Sequence, residues 1–523
     1  MPSDPNQSSA ATAPIQDVRV LITAEEVYPA MEEAFLNAKT EIWAGYRVFD
    51  LSTKLRSDAG RAVGETWFDL IAHVLKKGVV VNFVLSDFDP IVGSKLHCHS
   101  WRARRAFVAA AEVAGPDAKL NIVNAVHSSR AGMVPRVLLW PRTIKEVRRR
   151  AKELNAATTA ERGRRLECSP GIRPWLTTEI GGRLTARKRR PPPLVPGTHH
   201  QKVAVFDREL LCIGGLDLDE RRYDDKDHDR SRDETWHDVQ VMCRGPVVED
   251  AQRHLESFLH VVAGRKAPAP GGALLRTLSR RHRIQFPFLG PRPLVTELAE
   301  AHFDAIKEAQ NLIYLETQYF RDRRIADTLA KAAQERPDLG LVLIMPGAPD
   351  DVAFEGSTSS DARLGEYLQA KCTMQVAEAF GDRAALCSPV RPIPASGSGR
   401  DTLCGSPIIY VHAKVSVFDD AKAIVSSANL NGRSLYWDTE VGVALAQPDD
   451  VTSLRARCFR HWLGEEPTPE FHTNGTAAQA WRALVQDNAD AAPQDRKGFL
   501  VPYDPRPAQA FGRYIPGIPE ALV

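Results

Sequence analysis

Residues 200–207, HQKVAVFD, and residues 412–419, HAKVSVFD, share the pattern His-x-Lys-x4-Asp. Of the fifteen histidines in the chain, only His200 and His412 are followed by a lysine two positions on, and both have an aspartate, Asp207 and Asp419, seven positions on. The intervening VAVF and VSVF have strand composition, and on a strand positions i and i+2 share a face, so each copy presents an imidazole and an ammonium together. Seven positions after each aspartate begins a pair of small residues, Gly214-Gly215 and Ser426-Ser427, which lets backbone or a phosphate approach closely.

Upstream, a second repeat runs at another offset. Ala34, Ala38, Ile42, Trp43 and Phe49 match Ala305, Ala309, Ile313, Tyr314 and Phe320 at a constant 271 residues, each set reading as a helix end followed by a strand. The motif histidines lie only 212 residues apart, so the first half holds an insertion of about 59 residues before its motif. The segment 141–197, rich in arginine (Arg148, Arg149, Arg150, Arg162, Arg164, Arg165) and ending in PPPLVPG, is the candidate. Its charge suits an anionic lipid surface or a plain solvated helix equally well. From Val18, apolar runs alternate with helical patterns, which predicts an α/β fold built from two similar domains. The expected division is a disordered 1–16, a first domain 17–263, a linker 264–284 rich in Pro and Gly, a second domain 285–465, and a C-terminal arm 466–523.

Composition sets limits. The chain has 523 residues, 43% hydrophobic and 26% charged, with 68 basic and 66 acidic side chains for a net charge of +2. That balance disfavours a nucleic-acid partner bound through global charge. Eight scattered cysteines without a Cys-x-x-Cys pair read as reduced thiols. No signal-like N-terminus and no run long enough to span a bilayer are visible, so the expectation is a cytoplasmic monomer that visits membranes peripherally, with export by a route that reads no N-terminal signal left open. His97-Cys98-His99, near Asp87 and Asp89, reads as core or loop rather than metal site. FPFLG (286–290) reads as packing the linker rather than dipping into a membrane.

HQKVAVFDRELLCIGGLDL (200–218) and HAKVSVFDDAKAIVSSANLNGRS (412–434) resemble the paired signature motifs of the phospholipase D superfamily. IYLETQYF (313–320) and GGLDLDERRYD followed by ETWHDVQVMCRGPVVEDA (214–251) resemble the flanks of the motifs in eukaryotic-type phospholipases D. The likeness covers about residues 18–465. It implies two domains, each a mixed β-sheet flanked by helices, related by a pseudo-twofold with one active site between them.

Phosphodiester cleavage here needs a nucleophile, an acid for the leaving alcohol, and positive charge around the phosphoryl oxygens. Two imidazoles and two ammoniums supply all three, with no cofactor and no metal. The resemblance implies His200 as nucleophile and His412 as acid, the reverse assignment staying open, with Lys202 and Lys414 holding phosphoryl oxygens. It places Asn429, Asp217, Gly215, Ser427 and Gln318 around the substrate and a supporting carboxylate, Asp238 or Glu440, downstream of each motif. Asp207 and Asp419 complete the motifs by holding the strand ends. Asp217 departs from Asn429 in the second motif, which argues against a symmetric phosphate cradle. The expected activity is hydrolysis of glycerophospholipids to phosphatidic acid through a phosphohistidine, with transphosphatidylation. Alternatives are a cardiolipin-synthase-like transferase, a nuclease, an exported phospholipase effector, or a phosphate-binding module without turnover.

Overall fold

The structure, a computed structural model, describes residues 15–187, 190–473 and 475–523. The expected disorder of 1–16 falls almost wholly outside the described residues, though Gln16 already opens a strand. Two large mixed sheets carry the fold. In the first, the strands run in the order Gln16–Ile22, Val239–Arg244, Leu210–Gly214, Val203–Phe206, Glu41–Tyr46, Val80–Asp87, Leu120–Val126. In the second, Leu274–Arg280, Glu440–Leu445, Lys422–Ser426, Lys414–Phe418, Leu312–Thr317, Gly340–Ile344 and Ala384–Pro389 repeat that order. The second sheet gains an edge strand at each end, Arg292–Thr296 and Leu500–Pro502.

Both motif strands are central and buried on two faces. Val203 and Val205 join Val415 and Val417 in one core shared by the two sheets, whereas Ala204 and Phe206 turn outward to the helices of the first half. The period-2 alternation of VAVF and VSVF thus fills two apolar layers at once. Outside the first sheet, Thr23–Asn37 and Trp67–Lys76 bury Phe35 and Trp67 against Phe49.

Three of the expected segments carry more regular structure than their composition suggests. The stretch 264–284 contains the strand Leu274–Arg280, the second-half counterpart of Gln16–Ile22, because its apolar residues complete the second sheet next to Glu440–Leu445. The arm 466–523 packs on the second sheet: the helix Ala477–Asp490 buries Trp481 against Phe459, and Leu500–Pro502 pairs with Ala384–Pro389. The insertion is helical and begins earlier than 141, with Met133–Leu138, Trp140–Ala156 and Thr159–Cys168 followed by the hairpin Leu176–Thr178 and Leu184–Ala186. Lys188 and Arg189 of its basic run lie outside the described residues. All eight cysteines are free.

Candidate active site

His200 and His412 sit in the extended lead-ins just before their strands, and each lead-in pairs across the pseudo-twofold with the other half. The His200 amide donates to Thr439 O at 2.9 Å, and the His412 amide donates to His237 O at 2.8 Å. The isolated bridges His199 to Thr439 and His237 to Val411 are mates under the same symmetry. Each pairing brings the residue that follows the bridge in one half, a carboxylate, to the motif histidine of the other. His200 Nδ1 lies 2.9 Å from Glu440, and His412 Nδ1 lies 2.6 Å from Asp238. The supports are therefore crossed between halves, which the linear sequence leaves open. Each fixes one ring nitrogen and leaves Nε2 for chemistry.

The lysines complete the centre. Lys202 Nζ donates to His200 O at 2.6 Å and lies 3.3 Å from both ring nitrogens of His200, and Lys414 Nζ donates to His412 O. Burial lowers Lys202 to about 8 and Lys414 to about 7. Burial, with Lys202 and Arg47 beside it, holds His200 well below the usual imidazole range; burial with Lys414 and Lys202 does the same to His412. Burial also pushes Asp238 up to about 6 and Glu440 to about 8. His200 keeps 14% of its side chain exposed against 3% for His412, so the opening lies on the His200 side.

Asp207 and Asp419 stand away from this chemistry. Asp207 accepts the amides of Lys39, Thr40 and Glu41 at 2.8–3.0 Å, and Asp419 those of Gln310, Asn311 and Leu312 at 2.7–2.8 Å. Each clamps the turn into the neighbouring strand from a left-handed backbone, φ 52° and 54°, a conformation aspartate tolerates.

The five residues expected around the substrate have neighbours within the protein. A Cβ on Gly215 would meet Asp238 Oδ1 at 2.1 Å, and Ser427 Oγ donates to Glu440 at 2.5 Å. The small pair thus makes room for, or bonds, the supporting carboxylates rather than a phosphate. Asp217 accepts the Val48 amide at 2.8 Å and pairs with Arg222 and, at 3.8 Å, Lys202. Burial opposes its ionisation, but Lys202 and Arg222 outweigh that and keep its carboxyl below the ordinary range. Asn429 donates to Gln318 at 3.1 Å, and Gln318 donates to the Tyr410 hydroxyl at 2.8 Å. Asn429 Oδ1 is buried without a partner.

Arg47 escaped the sequence reading, although the 271-residue offset places it opposite Gln318. It makes no ion pair among the described residues, and its guanidinium lies 5.6 Å over the Phe88 ring. His97 is a core residue: Nδ1 bonds Asp87 at 2.6 Å and Nε2 accepts the Gly171 amide at 3.2 Å, leaving nothing for a metal. A cleft of about 1010 Å³ between the helix Ser94–Ala114 and the insertion is lined by His99, Arg102, Arg105, Arg150 and Arg164, not by the motif histidines. Its edge is Asp50, whose amide bonds Leu218 O, next to Asp217.

Comparisons with known proteins add likenesses of sequence and of fold. Residues 303–462 match the family described as "Cardiolipin synthase, PLD-like domain". Phospholipase D2 of Bos taurus is 24% identical over 382 residues, covering 60% of this chain and 41% of that protein. Phospholipase D alpha 1 of Cynara cardunculus is 21% identical over 369 residues, covering 48% and 46%. The chain thus spans less than half the length of these curated relatives. In fold it is similar to phosphatidylserine synthase of Haemophilus influenzae, with TM-score 0.50 at 13% identity over 95% of this chain and 93% of that one. Two sheets of identical strand order, joined at a paired His/Lys centre, and these likenesses lead to one conclusion: residues 303–462 form a PLD-like domain, and the chain as a whole is similar to phospholipases D.

Proposed function

We propose that the chain is a phospholipase D-type phosphodiesterase that releases phosphatidic acid and a free alcohol from glycerophospholipids. The crossed pairs, His200 with Glu440 and His412 with Asp238, carry the reading. Asp238, at about 6, is ionised at neutral pH; burial and the two lysines disfavour a proton on His412, and the Asp238 carboxylate, with the anionic phosphodiester once bound, offsets that so that His412 acts as the acid. Glu440, at about 8, shares a proton with His200 Nδ1, and Lys202 disfavours a second one on that ring. His200 Nε2 then offers its lone pair, attacks phosphorus and displaces the headgroup alcohol as His412 protonates it. Water next attacks phosphorus, His412 takes its proton, the P–N bond breaks, and phosphatidic acid leaves. Lys202, Lys414 and the unpaired Arg47 balance the phosphoryl charge.

An exposed strip supports a lipid surface. Met133, Val134, Val137 and Leu138 adjoin Ile284, Phe286 and Phe288 through the bonds Gly132 N to Phe288 O and Val134 N to Phe286 O, with Leu138 75% and Ile284 72% exposed. FPFLG therefore anchors its backbone on the insertion while its phenyl rings face out. Exposed Arg142, Arg281 and Arg283 lie near these residues in sequence, a combination suited to anionic headgroups. No described helix is long and apolar enough to cross a membrane.

A primary alcohol can replace water in the second step, and the match to a cardiolipin synthase domain and the fold shared with a phosphatidylserine synthase favour a phosphatidyltransferase as second reading. Headgroup release from phosphatidylcholine and phosphatidylethanolamine vesicles, with and without ethanol or glycerol, tests both. Hydrolysis that persists without an alcohol acceptor supports the lipase; product only with an acceptor supports the transferase. His200→Ala and His412→Ala are each expected to lower turnover at least about 10³-fold, and retained activity in either overturns the mechanism.

A further inference from the structure

We propose that His228, His237 and His461 form a three-histidine zinc site that ties the two halves together behind the active site. One ligand atom from each lies within 4.8 Å of the other two. His228 comes from the acidic loop after the first motif, His237 from the lead-in of Val239–Arg244, and His461 from the helix Pro448–Leu463 of the second half. Zinc with three imidazoles and a solvent ligand is a common set, with nitrogens about 2.0–2.1 Å from the metal and so about 3.3 Å from one another, and the cluster closes with a contraction of at most about 1.5 Å. His461 is partly exposed, which gives the ion an entry side.

The hydrogen-bond pattern prepares two of the three rings as ligands. Asp224 Oδ2 accepts His228 Nδ1 at 2.6 Å and the Trp236 amide at 2.6 Å. Glu316 accepts His237 Nε2 at 2.9 Å, the Tyr314 hydroxyl at 2.6 Å and Trp462 Nε1 at 3.1 Å. Each carboxylate meets several donors, so the ring nitrogen facing it carries the proton. That leaves His228 Nε2 and His237 Nδ1 bare, the carboxylate–histidine arrangement that orients metal ligands. His228 Nε2 lies 3.0 Å from His461 Nε2, while His237 Nδ1 is fully buried without any partner. A hydrogen bond between His461 and His228 satisfies one pair and leaves His237 Nδ1 orphaned; a cation satisfies all three.

The ion is a strut, not a participant in phosphoryl transfer. His237 is followed by Asp238, the support of His412, and its carbonyl accepts the His412 and Ala413 amides at 2.8 and 3.1 Å. Fixing His237 to the last helix of the second half holds that crossed pairing in place.

The test is the metal content of the full-length chain purified from zinc-supplemented cells, and it needs no turnover. About one zinc per chain is expected, falling several-fold in His228→Gln and His461→Gln. Wild-type protein stripped by a strong chelator is expected to regain several degrees of Tm on adding zinc alone. One equivalent of Co2+ is expected to give the visible bands of a tetrahedral site, a readout that stands even where a variant fails to fold. Zinc far below one per chain with no Tm response overturns the site; so does zinc content unchanged in folded His461→Gln, or a wild-type chain without cobalt bands.

Discussion

In the first half of the site, Lys202 shares Asp217 with Arg222, and Arg47 stands near that carboxylate without an ion pair. In the second half, the positions equivalent to Arg47 and Asp217 are Gln318 and Asn429, which hydrogen-bond each other and reach Tyr410. Around one repeated plan of His, Lys, crossed carboxylate and clamping aspartate, one half is built from charges and the other from amides. Both members of the facing pair changed together, because a buried carboxylate without a cation, or the reverse, is costly. A duplicated site thereby becomes polarised, with the more exposed histidine in the charged half.

The two halves are expected to differ most at the supporting carboxylates. Asp238→Asn removes the ionised partner of His412 and is expected to cut kcat about 10²–10³-fold. Glu440→Gln removes a group that already shares its proton and is expected to cost roughly tenfold. Steady-state kinetics on a soluble phosphodiester decide it, and equal losses would assign the histidines no distinct roles.

The pH profile comes next in size. Asp238 is raised to about 6, so its charge is present above that pH and lost as pH falls through it. Lys414 and Lys202 are lowered to about 7 and 8, so their charges are present below those values and lost as pH rises through them. kcat/KM is expected to follow a narrow bell, rising about tenfold per unit up to about pH 6 and falling above about pH 7, more steeply past about 8. Asp238→Asn should remove the acid limb and leave the alkaline one; a flat profile in wild type contradicts the assignment.

The smallest effect concerns the polarised layer itself. Arg47→Gln with Asp217→Asn copies the amide pair of the second half into the first. KM for an anionic diester is expected to rise a few-fold while kcat changes less, because Arg47 binds charge without touching the proton transfers. A loss confined to kcat would place Arg47 in the chemistry instead.

Much of this was legible in the chain. The two His-x-Lys-x4-Asp copies gave the residue types that meet at the centre, strand composition placed VAVF and VSVF at the heart of each sheet, and the mismatch between the 271- and 212-residue offsets located an insertion. Those features are local, set by residue type and by the period-2 geometry of a strand. Gly215 and Ser427 were misread because spacing shows that a position is small, not what fills the space over it. Leu274–Arg280 was missed because a Pro/Gly-rich approach hides an apolar strand whose partner lies far along the chain.

The contacts across the pseudo-twofold depend on the folded chain. That Glu440 serves His200 and Asp238 serves His412 follows from lead-in segments pairing between halves, 240 and 174 residues apart in sequence. The pKa order of Asp238, Lys414, Lys202 and Glu440 follows from burial at that seam, since desolvation depends on what the fold places over a group. The His228, His237 and His461 cluster likewise exists only once the last helix of the second half meets the loop of the first. Residue identity fixes which chemistry a chain carries, and the packing of distant segments fixes which group acts on which.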